Sequence, residues 1–160
     1  MFNGMSNSSE AELKDASSIS ICPSCRALNR VKVFATAPAS CGKCKTELPF
    51  KQGISQLGAA DLQALLQKSS LPIVVDFWAP WCGPCRSFAP VFQQAAELLS
   101  AHILFVKVDT QANPLSGDLY QIRSIPTLAF FSGGLERDRV SGALPLPEFL
   151  NWIEQQIGKA

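Results

Sequence analysis

All six cysteines of this chain fall into Cys-x-x-Cys pairs: Cys22 and Cys25 in CPSC, Cys41 and Cys44 in CGKC, Cys82 and Cys85 in WCGPC. Two sulfurs at that spacing can face one metal ion from a tight turn, or cycle between dithiol and disulfide. Their surroundings separate these chemistries. Cys82 follows an apolar stretch, LPIVVDFW (71–78), and opens a segment with helical periodicity, so it stands at a predicted helix start. There, free backbone N–H groups and the positive end of the helix dipole favour a thiolate. Cys85 lies one turn deeper on the same face, within disulfide reach. Gly83 and Pro84 suit a tight helix start whose backbone stays open to an incoming molecule. The competing reading is half of a zinc site, but outside the other four cysteines only His102 could join it. The 82–85 pair therefore reads as a redox dithiol.

The first four cysteines read differently. Cys22-x-x-Cys25, fifteen residues, then Cys41-x-x-Cys44 fits two zinc knuckles separated by about fifteen to twenty residues. Pro23 and Gly42 suit the turns, and nearby N–H groups can donate to the thiolates. The expectation is one tetrahedral zinc ion; two redox disulfides or an iron site share the spacing. Arg26, Arg30, Lys32, Lys43 and Lys45 lie between Cys22 and Thr46, with no acidic residue among them. Zinc with four thiolates carries a charge of about −2, which these cations offset. A nucleic-acid surface would need interleaved aromatics, and Phe34 stands alone.

The elements that must position these sulfurs are legible from residue 50 onward. DLQALLQK (61–68) has helical spacing of leucines, and LPIVVDFW is a strand with Ile73, Val75 and Phe77 on one face and Val74, Asp76 and Trp78 on the other. Residues 83–100 read as a helix with Pro90 inside it, where a kink is expected. ILFVKVD (103–109) is a second strand and NPLSGDLYQI a short helix. TLAFF, Gly133-Gly134 and LERDRVSG form an antiparallel hairpin, and LPEFLNWIEQQI a closing amphipathic helix. Strands alternating with helices, then a hairpin, imply an α/β fold with a mixed sheet covered on both faces. The expected division is a disordered lead-in at 1–19, a four-cysteine zinc motif at 20–49 and a domain at 50–160 able to bury its own core. The 160 residues, 47% hydrophobic and 17% charged with net charge +1, give no global field that would steer the chain to nucleic acid. No apolar run approaches the roughly 18–20 residues of a membrane span. The first residues lack a basic start, an apolar stretch and arginine, so neither a secretory signal nor a transit peptide is read there, and a reducing cytoplasm is the expected compartment.

Asp76 is an acid inside an apolar strand. Buried, it would hold its proton to unusually high pH and could accept one from Cys85; at a solvated edge it would do neither.

WCGPC, preceded by VVDFWAP and followed by IRSIPTLAFF, closely resembles the thioredoxin family, and the resemblance covers residues 50–160. With CPSC and CGKC added, the chain is similar to the zinc-containing bacterial subgroup often called thioredoxin 2, although its Ser-rich start is longer than in compact members. The resemblance implies the thioredoxin fold with a small N-terminal zinc-ribbon-like motif, and a protein-disulfide reductase. Cys82 would attack a client disulfide and Cys85 would resolve the mixed disulfide, with Asp76 as a buried proton acceptor and Lys107 near it. Pro126 would be cis, and Trp81, Gly83, Pro84, Ile125, Pro126 and Gly142 would line a shallow groove for the client peptide. Implied partners are disulfide-containing proteins and an NADPH-dependent thioredoxin reductase; no organic cofactor, membrane or nucleic acid is implied. A disulfide oxidase or isomerase, or a zinc-dependent module that binds clients or senses oxidants, are the alternative readings.

Overall fold

The computed structural model describes residues 15–159; the remainder of the expected lead-in lies outside the described residues. Strands β1 (Ser17–Ile21) and β2 (Leu28–Lys32) pair as an antiparallel ribbon, Ser17 opposite Lys32 and Ile21 opposite Leu28. Pairing thus begins at Ser17, ahead of the expected boundary near 20. The cysteine turns and a bridge between Ser40 and Glu47 complete the ribbon around Cys22, Val31, Cys41 and Leu48.

A six-stranded mixed sheet follows, in the order β3 (Phe50–Lys51), β4 (Ile54–Gln56), β6 (Leu104–Asp109), β5 (Ile73–Trp78), β7 (Thr127–Ser132), β8 (Leu135–Ser141). β6 runs parallel to β4 and β5, whereas β3, β7 and β8 each run antiparallel to a neighbour. The β3–β4 turn depends on Gly53. Its φ is +87°, and a Cβ there would come within 2.9 Å of Ser100 Oγ and 3.1 Å of the Ala96 carbonyl, so glycine lets this edge approach the end of a helix. The hairpin at β7–β8 turns on Gly133 and Gly134, with φ of 62° and 79°, the left-handed pair that a two-residue turn demands.

The alternation along β5 divides the core in two. Val74 faces α2 (Gly83–Leu99) and α4 (Leu146–Lys159), where Phe88, Phe92, Phe105, Phe130 and Phe149 pack with Trp152. Ring centroids of Phe88 and Phe149 are 5.1 Å apart, and those of Phe92 and Phe105 5.3 Å, both edge to face, the arrangement the ring quadrupole favours. The buried positions of α2 (Cys85, Phe88, Phe92, Ala95, Ala96, Leu99) fall on one helical face, so the stripe that fills this core also carries Cys85 inward. The helix runs through Pro90 without ending.

On the other face, Ile73, Val75 and Phe77 meet Leu62, Leu65 and Leu66 of α1 (Ala59–Lys68), while α3 (Leu115–Leu119) leads toward Tyr120 and Ile122 beside them. This cluster also contains Ile21, fully buried, with Ile19 packed against it. The core beneath α1 is therefore completed by the ribbon. Polar contacts reinforce the seat: the Arg26 guanidinium donates to the Ala60 carbonyl at 3.1 Å and pairs with Asp61 at 2.8 Å, and Lys68 Nζ donates to the Arg26 carbonyl at 2.6 Å. Both ends of α1 are thus fastened to the residue that follows Cys25.

Candidate active site and metal centre

The parallel strands β5 and β6 end together at Trp78 and Asp109, which face each other in register, and β7 starts at this same edge. The chain leaves β5 through Ala79 and enters α2 at Gly83, with Cys82 as the N-cap in extended conformation. Its Sγ accepts the Cys85 N–H at 3.2 Å, one of the donors a helix start leaves free. Cys82 and Cys85 are joined as a disulfide with Cα atoms 5.2 Å apart. Cys85 is buried and Cys82 is 4% exposed, while Trp81 beside it is 68% exposed. Gly83 and Pro84 are exposed on the first turn, and a Cβ at Gly83 would meet nothing within 4 Å.

The loop before β7 faces the dithiol. The Ile125–Pro126 peptide bond is cis, and the Ile125 carbonyl lies 3.8 Å from Cys82 Sγ. Gly142, with φ of 101°, donates its N–H to the Pro126 carbonyl at 2.8 Å, and Thr127 Oγ1 donates to the Ser124 carbonyl at 2.6 Å. These two bonds fix the loop from either side. The Thr127 lock escaped sequence reasoning, since nothing in a Ser-x-x-Thr spacing marks it.

Asp76 sits in the middle of β5, between Lys107 on β6 and Leu128 on β7. It is fully buried, and neither carboxylate oxygen has a hydrogen-bond partner among the described residues. Burial outweighs the attraction of the Lys107 ammonium and pushes its pKa up to about 7. Lys107 Nζ itself lies 4.4 Å from the Trp78 ring centroid, a cation–π seat that holds its charge beside the acid. His102 is exposed at the junction between α2 and β6, as its sequence position suggests, away from this chemistry.

The family model described as Thioredoxin matches residues 53–155. The chain belongs to the thioredoxin family. It is a thiol–disulfide oxidoreductase. Among curated thioredoxins, Thioredoxin C-3 of Corynebacterium nephridii is 39% identical over 141 residues, covering 87% of this chain and 95% of that protein. Thioredoxin 1 of Synechococcus elongatus is 47% identical over 90 residues, 56% of this chain and 84% of that protein. Among solved structures, Fasciola hepatica thioredoxin aligns with a TM-score of 0.57 at 37% identity, over 62% of this chain and 94% of that one. The match to Thioredoxin C-3 takes in more of the chain than residues 50–160 make up, so it extends into the segment of paired cysteines.

That segment gathers four sulfurs. The Sγ atoms of Cys22, Cys25, Cys41 and Cys44 all lie within 4.8 Å of one another, with Cys22 to Cys44 at 3.5 Å and Cys25 to Cys41 at 3.6 Å. A tetrahedron of sulfurs about 2.3 Å from a zinc ion has edges of about 3.8 Å, so the donor set fits that ion. The two turns are copies of each other. Arg26 N–H bonds the Cys22 carbonyl at 3.0 Å and Lys45 N–H the Cys41 carbonyl at 2.9 Å, and both Arg26 and Lys45 have positive φ, 66° and 69°. Donors surround Cys41: Lys43 N–H at 3.4 Å and the Asn29 amide at 3.5 Å, while Asn29 Oδ1 accepts from Gly42 at 2.9 Å. The N–H of Cys44, with those of Lys43 and Asn29, draws the Cys41 thiol down to about 6 against the effect of burial. At Cys25 the Ala27 N–H favours the thiolate, but burial and the facing sulfurs prevail and push it up to about 11. Asn29, which braces Cys41 from β2, is a supporting residue that the cysteine pattern alone does not reveal.

Proposed function

We propose that the chain is a general protein-disulfide reductase whose electrons pass through Cys82 and Cys85, with a structural zinc ion held by Cys22, Cys25, Cys41 and Cys44. One observation carries this reading: a Cys-x-x-Cys disulfide at the start of α2, facing the cis-Pro126 loop above an unpaired buried acid. In the reduced enzyme the Cys82 thiolate attacks one sulfur of a client disulfide. A Cys82–client bond forms, and the client's other sulfur leaves as a thiolate. Cys85 then gives its proton to Asp76 and attacks Cys82 Sγ, which forms the Cys82–Cys85 disulfide and releases the second client sulfur as a thiolate. A carboxyl with a pKa near 7 is suited to take that proton at neutral pH.

Trp81, Gly83, Pro84, Ile125, Pro126 and Gly142 form the proposed client groove, the Ile125 backbone offering hydrogen bonds to an extended peptide. Proteins with accessible disulfides are the clients, and an NADPH-dependent thioredoxin reductase regenerates the dithiol in the cytoplasm. Among the described residues no helix is long and apolar enough to cross a membrane.

The zinc ion would supply folding energy to residues 20–49, a unit too small for a sufficient core of its own, and residues 50–160 form the catalytic domain. The four clustered sulfurs and the reach of the Thioredoxin C-3 match support this division. The test is reduction of a protein disulfide in the presence of NADPH and a thioredoxin reductase, with zinc measured on the same sample. Multiple turnovers at one zinc per chain are expected. Failure to turn over, or a metal-free active protein, would overturn the corresponding half.

A further inference from the structure

Where α3 ends, its last carbonyls have no further turn of helix to bond them. Gln121 closes the helix in the left-handed conformation, with φ of 52°, and the Ile122 N–H returns to the Gly117 carbonyl at 2.8 Å. The carbonyls of Tyr120 and Gln121 are taken up by a side chain from another element. Arg139 of β8 donates Nη2–H to the Tyr120 carbonyl at 2.8 Å and Nη1–H to the Gln121 carbonyl at 3.0 Å. Glu136 aims that fork, accepting from Nε at 2.6 Å and from Nη2 at 2.7 Å. The guanidinium is planar, so the bidentate carboxylate on one side fixes the direction of the donors on the other.

This puts Arg139 at the upstream end of the segment that faces the dithiol. Gln121, Ser124 and Thr127 line a cleft of about 460 Å³ with Glu136, Arg139 and Ser141, so the segment runs beside β8. Its downstream end is held by the Gly142 N–H, which donates to the Pro126 carbonyl at 2.8 Å. Both ties come from one frame, because β8 is registered on β7 with Arg139 opposite Ala129 and Ser141 opposite Thr127. Between them the Ile125 carbonyl stands 3.8 Å from Cys82 Sγ. Without the upstream tie, residues 122–125 are held to β8 from one end only. We propose that Arg139 is a positioning residue for disulfide exchange: it fastens the end of α3 to β8 so that the following residues keep their place beside Cys82. The proposal rests on the reading of Ile125 as part of the client groove.

The test compares two uncharged disulfides, a peptide with an intramolecular disulfide and bis(2-hydroxyethyl) disulfide, which is too small to span the groove. Second-order rate constants are measured with the full, pre-reduced chain, and urea unfolding checks that each variant is folded under the assay conditions. Arg139→Gln should slow the peptide about tenfold, the order of loss that a displacement of a fraction of an ångström produces. The small disulfide should react at the unaltered rate, because the Cys85 N–H beside Cys82 Sγ belongs to α2 and is untouched. Arg139→Lys, a single ammonium without the fork, should fall between the two. Glu136→Gln keeps the donors to both carbonyls and should stay within about twofold of the unaltered chain. Equal slowing of both disulfides by Arg139→Gln would place the defect at the sulfur or in the fold and overturn the proposal. Unchanged rates with both, beside a loss of stability, would leave Arg139 a cap for α3 and overturn it too. If the unaltered chain reduces the small disulfide but not the peptide, the groove reading itself fails and the proposal with it.

Discussion

The ribbon and the start of α2 use one cysteine spacing for opposite ends. In the ribbon, each pair closes a turn that finishes on a left-handed residue, Arg26 or Lys45, and the two turns place four sulfurs together. At α2 the same spacing continues into a helix: Cys82 is the cap, its Sγ accepts the Cys85 N–H, and only one other sulfur is within reach. Spacing sets how far apart two sulfurs can be. What they do is decided by how many sulfurs meet and whether the backbone beyond them turns back or opens as a helix.

The sharpest way to break this comparison is to remove one sulfur from each helix position. Cys82→Ser should abolish disulfide reduction. Cys85→Ser should accumulate a mixed disulfide with clients, visible by mass spectrometry, while zinc stays at one per chain in both. Equal trapping by the two variants would overturn their assigned roles.

Asp76 gives the next largest effect. The folded chain holds the Asp76 proton to about pH 7, whereas the unfolded chain releases it near pH 4. Between those values the native state binds more protons than the unfolded one, so stability falls as pH rises and levels off above about 7. The window is worth about 4 kcal/mol. In Asp76→Asn that slope should vanish, which urea unfolding at pH 4.5 and 7.5 would measure, and the resolving step should slow at neutral pH. An unchanged slope and rate would remove Asp76 from the mechanism.

Ile21 tests how the two regions are joined. It belongs to the ribbon by sequence and to the core beneath α1 by contact, so Ile21→Ala should destabilise the catalytic domain by about 2–4 kcal/mol with metal content unchanged. Stripping the metal should likewise expose α1 to amide exchange while β5 stays protected. The smallest effect belongs to Arg26→Ala. Its ion pair with Asp61 is partly exposed and should contribute less than about 1 kcal/mol, read as a small shift in the same unfolding curve.

Much of this was written in the residues. The alternation of Ile73 to Trp78 and the helical stripe from Cys85 to Leu99 announce their elements because each repeats a period long enough to read, and the Gly133-Gly134 pair marks its turn by residue type. The short strands β3 and β4 do not, being two and three residues long, too short for any period. Asp76 was ambiguous as a bare sequence, because burial depends on neighbours from β6, β7 and α2 that no local pattern specifies. The seating of Ile21 under α1 was invisible for the same reason. The six cysteines are legible by type and spacing, whereas Asn29 takes its place beside Cys41 only when separate segments meet.

The central claim, that one pair moves electrons while two pairs hold metal, is tested most directly by mixing the reduced, zinc-loaded chain with one equivalent of a protein disulfide. Differential alkylation then maps the disulfides, and a chromogenic chelator reads free zinc over the same time course. The account predicts a disulfide between Cys82 and Cys85 alone, with zinc retained at one per chain. Disulfides among Cys22, Cys25, Cys41 and Cys44, with zinc released in step with client reduction, would contradict it.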